Sequence, residues 1–231
     1  MLKTLFSAAV LSAMAATPLA AQDIDADAPP AQRQMSDYAT IDYNLQEDRE
    51  NILFLDLSNG QRVAIRLMPD WAPHHVERVK TLAREGFYDG VIFHRVIDGF
   101  MAQTGDPTGT GQGGSELPDL KAEFNPMPHV RGTVSMARAQ SEDSANSQFF
   151  IVFYPRFSLD KKYTNFGRVI AGMDAVDAIV RGEPPSNPTR IVQASIAADN
   201  RPAPSPAQMA APANTDARTM SVDELNAPIG E

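Results

Sequence analysis

FHRVIDGFMAQTGD, residues 93–106, sets one arginine, Arg95, among the apolar side chains of Phe93, Val96, Ile97, Phe100 and Met101, with the amide of Gln103 just beyond. Such a stretch suits a site that grips an apolar ligand and touches it with a single cation. It lacks the paired carboxylates of acid–base hydrolysis and the thiolate or histidine cluster of metal chemistry. The reaction it supports does not hinge on proton transfer.

Upstream of this stretch, Ile52, Phe54 and the alternating neighbours of Asp56 read as a strand. Ser58-Asn59-Gly60 supplies a hairpin turn, and Gln61–Leu67 alternates polar and apolar residues as the returning strand. Pro73–Arg84 is the clearest helix: proline suits the first turn, Val76, Val79, Leu82 and Ala83 recur at helical spacing, and Gly86 is placed to end it. Short β-type runs then dominate, at Gly90–His94, Phe100–Thr104, Gly132–Met136, Phe149–Phe153, Phe166–Ile170 and Ile191–Ile196, with a second short helix at Met173–Val180. Many short strands with two helices predict a mainly β domain, an antiparallel sandwich or barrel.

The 231 residues suffice for one ordinary domain with tails. The net charge of −9 is uneven: residues 1–21 carry +1, residues 22–50 carry −6, residues 51–198 only −1 and residues 199–231 carry −3. The acidity belongs to the flanks, and no basic surface for nucleic acid follows. Lys3, the apolar run Leu5–Ala16 and the small residues Ala20-Ala21 are laid out as a secretory signal peptide over residues 1–21, cleaved before Gln22, with Leu19 an imperfect fit at the −3 position. The run is shorter than the roughly 18–20 residues of a spanning helix. Residues 22–50 read as a flexible acidic spacer, 51–198 as the folded domain and 199–231 as a disordered Pro/Ala-rich tail in which Ser221–Leu225 has the pattern for one helical turn. With no cysteine, disulfides and thiol catalysis are excluded.

Three other patterns lose to bland readings. GTGQGG (Gly109–Gly114) satisfies G-x-G-x-x-G by letter, but Glu116-Leu117-Pro118 breaks the helix a dinucleotide site needs, so the glycines serve a tight loop. His74 and His75 are adjacent on a helix and diverge, while His94 and His129 lie far apart, so no metal site is expected. His94 is read as structural, through a ring hydrogen bond. No G-x-S-x-G elbow occurs, and Ser135 has no flanking glycines.

Further on stand GTVSMARA (Gly132–Ala139), SQFFIVF (Ser147–Phe153) and LDKKYTNFGRV (Leu159–Val169). Together with residues 93–106, and in that order, they resemble the signature blocks of cyclophilin-type peptidyl-prolyl cis-trans isomerases, a resemblance that covers about residues 50 to 198. It implies a closed antiparallel eight-stranded β-barrel capped by two α-helices. It assigns catalysis to Arg95, a proline pocket to Phe100, Met101, Phe150 and Leu159, a polar rim to Gln103 and Gln148, an adjoining groove to Ala137, Arg138 and Ala139, and a pocket wall to Tyr163. Phe149 reads equally well as the core-facing partner of Phe150, since strand neighbours point to opposite faces.

The implied reaction is rotation about Xaa-Pro bonds, slow because resonance stiffens the C–N bond. A guanidinium hydrogen-bonding the prolyl nitrogen draws its lone pair out of conjugation, and lysine lacks the planar fork for this. The implied substrates are proline-containing polypeptides, with folding of exported proteins in the periplasm as the setting. No cofactor, metal or nucleic acid is implied, no membrane once the leader is removed, and the chain is expected to act as a monomer. The rival is a non-catalytic proline-peptide-binding chaperone or scaffold. Three residues depart from the best-known eukaryotic pattern: Ser158 replaces a tryptophan, which puts tight cyclosporin binding in doubt, Tyr163 replaces a histidine and Arg138 an asparagine.

Overall fold

The computed structural model describes residues 38–210. The expected leader, the spacer before residue 38 and the tail beyond 210, with its turn at Ser221–Leu225, lie outside the described residues. Eight strands form one antiparallel sheet: β1 (Ile52–Leu57), β2 (Arg62–Leu67), β3 (Arg95–Ile97), β4 (Met101–Thr104), β5 (Thr133–Met136), β6 (Phe149–Val152), β7 (Asn165–Ala171) and β8 (Ile191–Ile196). Their order across the sheet is β3-β4-β6-β5-β7-β2-β1-β8. The helices are α1 (Pro73–Arg84), α2 (Met173–Asp177) and α3 (Pro206–Ala210).

Strand alternation builds the core. Leu53, Leu55, Val63, Ile65, Val96, Ala102, Val134, Phe149, Ile151 and Ala194 all point to the concave face. Val76, Val79, Leu82 and Ala83 of α1 and Ala175 and Val176 of α2 pack against them. Each large side chain fully buried there contributes about 1.5–3 kcal/mol. The convex face carries two smaller clusters. One gathers Ile52, Ala64 and Ala197 beneath Leu45 and Phe54, and the other gathers Met101, Phe150 and Val152.

The sheet does not close into the expected barrel. It curls through 225° and stays open, a half-barrel whose edges are 14 Å apart, capped by the helical elements. Residues 90–94, read from the sequence as a strand, form the isolated bridge Ile92–Arg190, with the Gly90 and Phe93 N–H groups donating to the carbonyls of Ile191 and Thr189; the strand begins at Arg95 instead. Opposite them runs RGEPPSNPTR (Arg181–Arg190), in which Pro184, Pro185 and Pro188 have no N–H to extend a ladder. Among the described residues this segment makes two isolated bridges, Arg190 to Ile92 and Gly182 to Val96. Polar–apolar alternation in the sequence speaks for strands, but not for the backbone donors that a seam requires.

Residues 38–51 are held on the body by Arg66. Its buried guanidinium donates to the carbonyls of Asp42 (2.9 Å), Asn44 (2.7 Å), Glu47 (3.1 Å) and Asp48 (2.8 Å). Trp71 Nε1 donates to the Ala39 carbonyl at 3.1 Å. At the other end, Gln193 Nε2 donates to the Pro202 carbonyl at 2.9 Å and Arg201 pairs with Asp89 at 2.9 Å.

Candidate active site

Cross-strand register places the residues of the opening stretch. Arg95 lies opposite Gln103, and Gln103 opposite Phe150, so the three form one row on the convex face. One residue along each strand, Val96, Ala102 and Ile151 face the core. Phe149 likewise sits in the core and Phe150 on the outer face. Around Phe150, Met101 and Val152 gather Phe100, Ala137, Leu159, Tyr163 and Ile97, partly buried. Tyr163 meets Phe150 edge to face, with ring centroids 5.7 Å apart, and the Arg156 guanidinium lies 5.1 Å from the Phe100 ring centre. Leu159 ends a single 3₁₀ turn, Phe157–Leu159, which also carries Ser158.

The polar rim forms as a chain of amides. Gln103 Nε2 donates to Gln148 Oε1 at 2.9 Å, and Gln148 Nε2 donates to the carbonyls of Gly111 (3.1 Å) and Gly113 (2.7 Å). A cavity of about 480 Å³ opens beside it, lined by Gln103, Gln148, Ala137, Arg138, Ala139 and Asn146 among others. The glycine loop is wound round the Asp106 carboxylate, which accepts from the N–H groups of Thr108 (2.8 Å), Gly111 (2.6 Å) and Gly113 (3.1 Å). A Cβ on Gly113 would stand 2.2 Å from Asp106 Oδ1, so only glycine fits there. Burial pushes the Asp106 carboxyl up, but the donors from Thr108, Gly113 and Gly111 outweigh it and hold it at about 2.

Arg138 is not a cation free in the groove. Its Nε and Nη2 donate to the Lys162 carbonyl and its Nη1 to the carbonyls of Ala139 and Gln140, while the guanidinium lies 4.8 Å from the Tyr163 ring centre. It ties the groove to the Tyr163 loop.

Behind Phe150 stands an Asp–His–Ser chain. His129 Nδ1 lies 2.8 Å from Asp160 Oδ1, its Nε2 3.0 Å from Ser135 Oγ, and the Ser135 hydroxyl donates to the Thr164 carbonyl at 2.8 Å. The serine is fully buried and its proton is engaged, so it has no access to a substrate carbonyl. The His129 ring instead stacks on Phe150, centroids 6.4 Å apart. Burial pulls the His129 imidazole down, against Asp160. The ring hydrogen bond expected of His94 is absent: the side chain is buried and neither nitrogen has a partner among the described residues. Burial pulls its imidazole down, the nearby Asp106 charge opposing and Arg95 reinforcing. His74 and His75 converge rather than diverge, each Nδ1 lying 2.6 Å from its own oxygen of Glu123. Among the described residues no group of three His, Asp or Glu side chains is placed to hold a metal ion.

Sequence reading named Ile97 only as an apolar neighbour of Arg95 and passed over Val152 and Glu183. Ile97 and Val152 lie two residues beyond Arg95 and Phe150 on their strands, so alternation alone points them to the same face. Glu183 Oε2 accepts from Arg95 Nε at 2.8 Å across 88 residues of chain, and no local pattern signals it.

The model of the family described as cyclophilin type peptidyl-prolyl cis-trans isomerase/CLD matches residues 54–196. A probable peptidyl-prolyl cis-trans isomerase of Brucella suis is 50% identical over 170 residues, covering 67% of this chain and 86% of that one. Among solved structures, the cyclophilin AquaCyp293 of Hirschia baltica is similar with a TM-score of 0.62 and 30% identity, covering 67% of this chain and 77% of its own. A cyclophilin type peptidyl-prolyl cis-trans isomerase of Cryptosporidium parvum, crystallised in the presence of the dipeptide Ala-Pro, is similar at 0.59 and 28% identity, covering 63% and 98%. The chain belongs to the cyclophilin-type peptidyl-prolyl cis-trans isomerase family. Its reaction is the isomerisation of Xaa-Pro bonds in polypeptides.

Proposed function

We propose that Arg95 carries this isomerisation and that the outer cluster around Phe150 receives the proline ring. The observation that supports it is the row Arg95–Gln103–Phe150, which sets a half-exposed guanidinium at the edge of an apolar cluster. Beyond the bond from Nε to Glu183, the Arg95 side chain forms no other hydrogen bond among the described residues, leaving its Nη groups to donate. That the Cryptosporidium parvum relative was studied with Ala-Pro accords with a proline ligand for this fold.

The barrier to overcome is about 18–20 kcal/mol, set by amide resonance. With the ring held against Phe150, Met101 and Leu159, an Nη–H donated to the prolyl nitrogen draws its lone pair out of conjugation. The C–N bond then approaches a single bond, and the acyl side rotates while the ring stays fixed. Gln103, whose Nε2 keeps one hydrogen beyond that given to Gln148, offers a donor to the moving carbonyl. One preorganised donor aimed at developing charge is worth about 10²–10³ in rate. Arg95→Ala is therefore expected to lower kcat/KM on short Xaa-Pro peptides by about 10²–10³ with an unchanged circular dichroism spectrum. Full activity in that variant would move the chemistry away from Arg95.

The setting we propose is the periplasm, where the chain acts as a monomer on exported proteins after loss of residues 1–21. Lys3, the Leu5–Ala16 run and Ala20-Ala21 support this. Mass spectrometry of the protein from cells is expected to find an N-terminus at Gln22, and an intact Met1 terminus in a cytoplasmic fraction would refute it.

A further inference from the structure

Glu183 is built into position against Arg95. The Gly182 N–H donates to the Val96 carbonyl at 2.9 Å and the Val96 N–H donates to that of Gly182 at 2.8 Å. Val96 follows Arg95 on β3, so this bridge brings residue 183 beside residue 95 through backbone alone. Gly182 has φ +146, and a Cβ there would stand 2.5 Å from Pro185 Cα, so the bend admits only glycine. On the other side Arg181 is pinned, its guanidinium 4.3 Å from the Phe153 ring centre and its Nε 3.3 Å from Asp98. The Glu183 side chain is thus delivered by a braced segment to Arg95 Nε at 2.8 Å.

Fold stability does not account for the pair. The two side chains are 43% and 50% exposed, and ion pairs of that kind are worth about 0–1 kcal/mol. The choice of nitrogen is more telling. A carboxylate on Nε fixes the rotation of the side chain while leaving both Nη groups unspent.

We propose that Glu183 is a positioning residue for Arg95. It holds the guanidinium by Nε so that the Nη groups present a fixed fork to the Xaa-Pro amide. The proposal rests on the reading that Arg95 carries the reaction. Preorganisation of this kind belongs to the transition state, so its loss falls on kcat more than on KM.

The test compares wild type, Glu183→Ala, Glu183→Gln, Arg95→Ala and the double variant in a prolyl isomerisation assay on short Xaa-Pro peptides. Glu183→Ala is expected to lower kcat about tenfold with KM little changed. Glu183→Gln, whose amide oxygen still accepts from Nε, is expected to recover most of that loss. The double variant should be no slower than Arg95→Ala alone. Added salt should slow the wild type towards Glu183→Ala and leave Glu183→Gln nearly unaffected. A readout free of turnover is the Arg95 Nε–H resonance in a ¹⁵N-edited NMR spectrum, slow to exchange in wild type and lost in Glu183→Ala. An impaired Arg95→Ala beside a Glu183→Ala as fast as wild type, or faster, overturns the positioning role and leaves the reading of Arg95 standing. A fully active Arg95→Ala removes that reading and this proposal with it.

Discussion

Tyr163 does two jobs beside the Phe150 cluster: its ring meets the edge of Phe150 and carries the Arg138 guanidinium on its face. Aromatic pairs of this geometry are worth about 0.5–1.5 kcal/mol, and an arginine stacked on a ring adds about 0.5–1 kcal/mol at an exposed site. Tyr163→Ala is therefore expected to raise KM for Xaa-Pro peptides several-fold, about fivefold if 1 kcal/mol of binding is lost. Tyr163→Phe should leave KM near wild type, since both interactions use the ring; steady-state kinetics on the two variants decides it. The family resemblance, not strand alternation, singled out Phe150, Met101 and Leu159, which the fold gathers in one outer cluster; Val152, two residues beyond Phe150 on the same face, went unread. Arg138 shows where reading stopped. The resemblance set it in the groove in place of an asparagine, whereas the fold spends its donors on the carbonyls of Lys162, Ala139 and Gln140.

At the scale of elements, α1 shows a helix whose start is completed from elsewhere. Pro73 opens it, but the preceding Ala72 has no side chain to cap the first N–H groups. Glu123 supplies the cap across 49 residues, accepting from the His74 N–H at 3.2 Å and the His75 N–H at 3.1 Å while both imidazoles close on its oxygens. Burial pushes the Glu123 carboxyl up, but the bonds from His75 and His74 outweigh it and hold it below its usual 4.5. Glu123→Ala is expected to cost about 1–2 kcal/mol, a fall of roughly 3–6 °C in Tm. Because the folded carboxyl titrates below the unfolded one, this stabilisation is complete above pH 4.5 and is lost as pH falls through the folded value. Chemical denaturation at a series of pH values should show that acid limb in wild type and a shallower one in Glu123→Gln; identical limbs would remove Glu123 from the account.

For the molecule as a whole, Arg66 decides where the folded body begins. Its guanidinium is 2% exposed, bonded to four carbonyls, and stands 3.6 Å from the carboxylates of both Asp42 and Asp48. Stripping such a cation from its partners costs about 3 kcal/mol or more. A chain starting at Asn51 is expected to unfold at lower urea concentration than one starting at Tyr38, and Arg66→Ala in the longer chain should bring the two midpoints together. Equal midpoints without the mutation would show that residues 38–50 add nothing. From sequence alone, alternation and helical spacing determined β8 and α1 to the residue and the Asn59-Gly60 hairpin, because these depend on neighbours within a few positions. Only the tertiary structure decided the open seam, the docking of residues 38–51 on Arg66, the cap from Glu123 and the bond from Arg95 to Glu183. Each of these joins partners between 18 and 88 residues apart or turns on a missing backbone donor, and no local periodicity encodes which distant groups the fold will bring together.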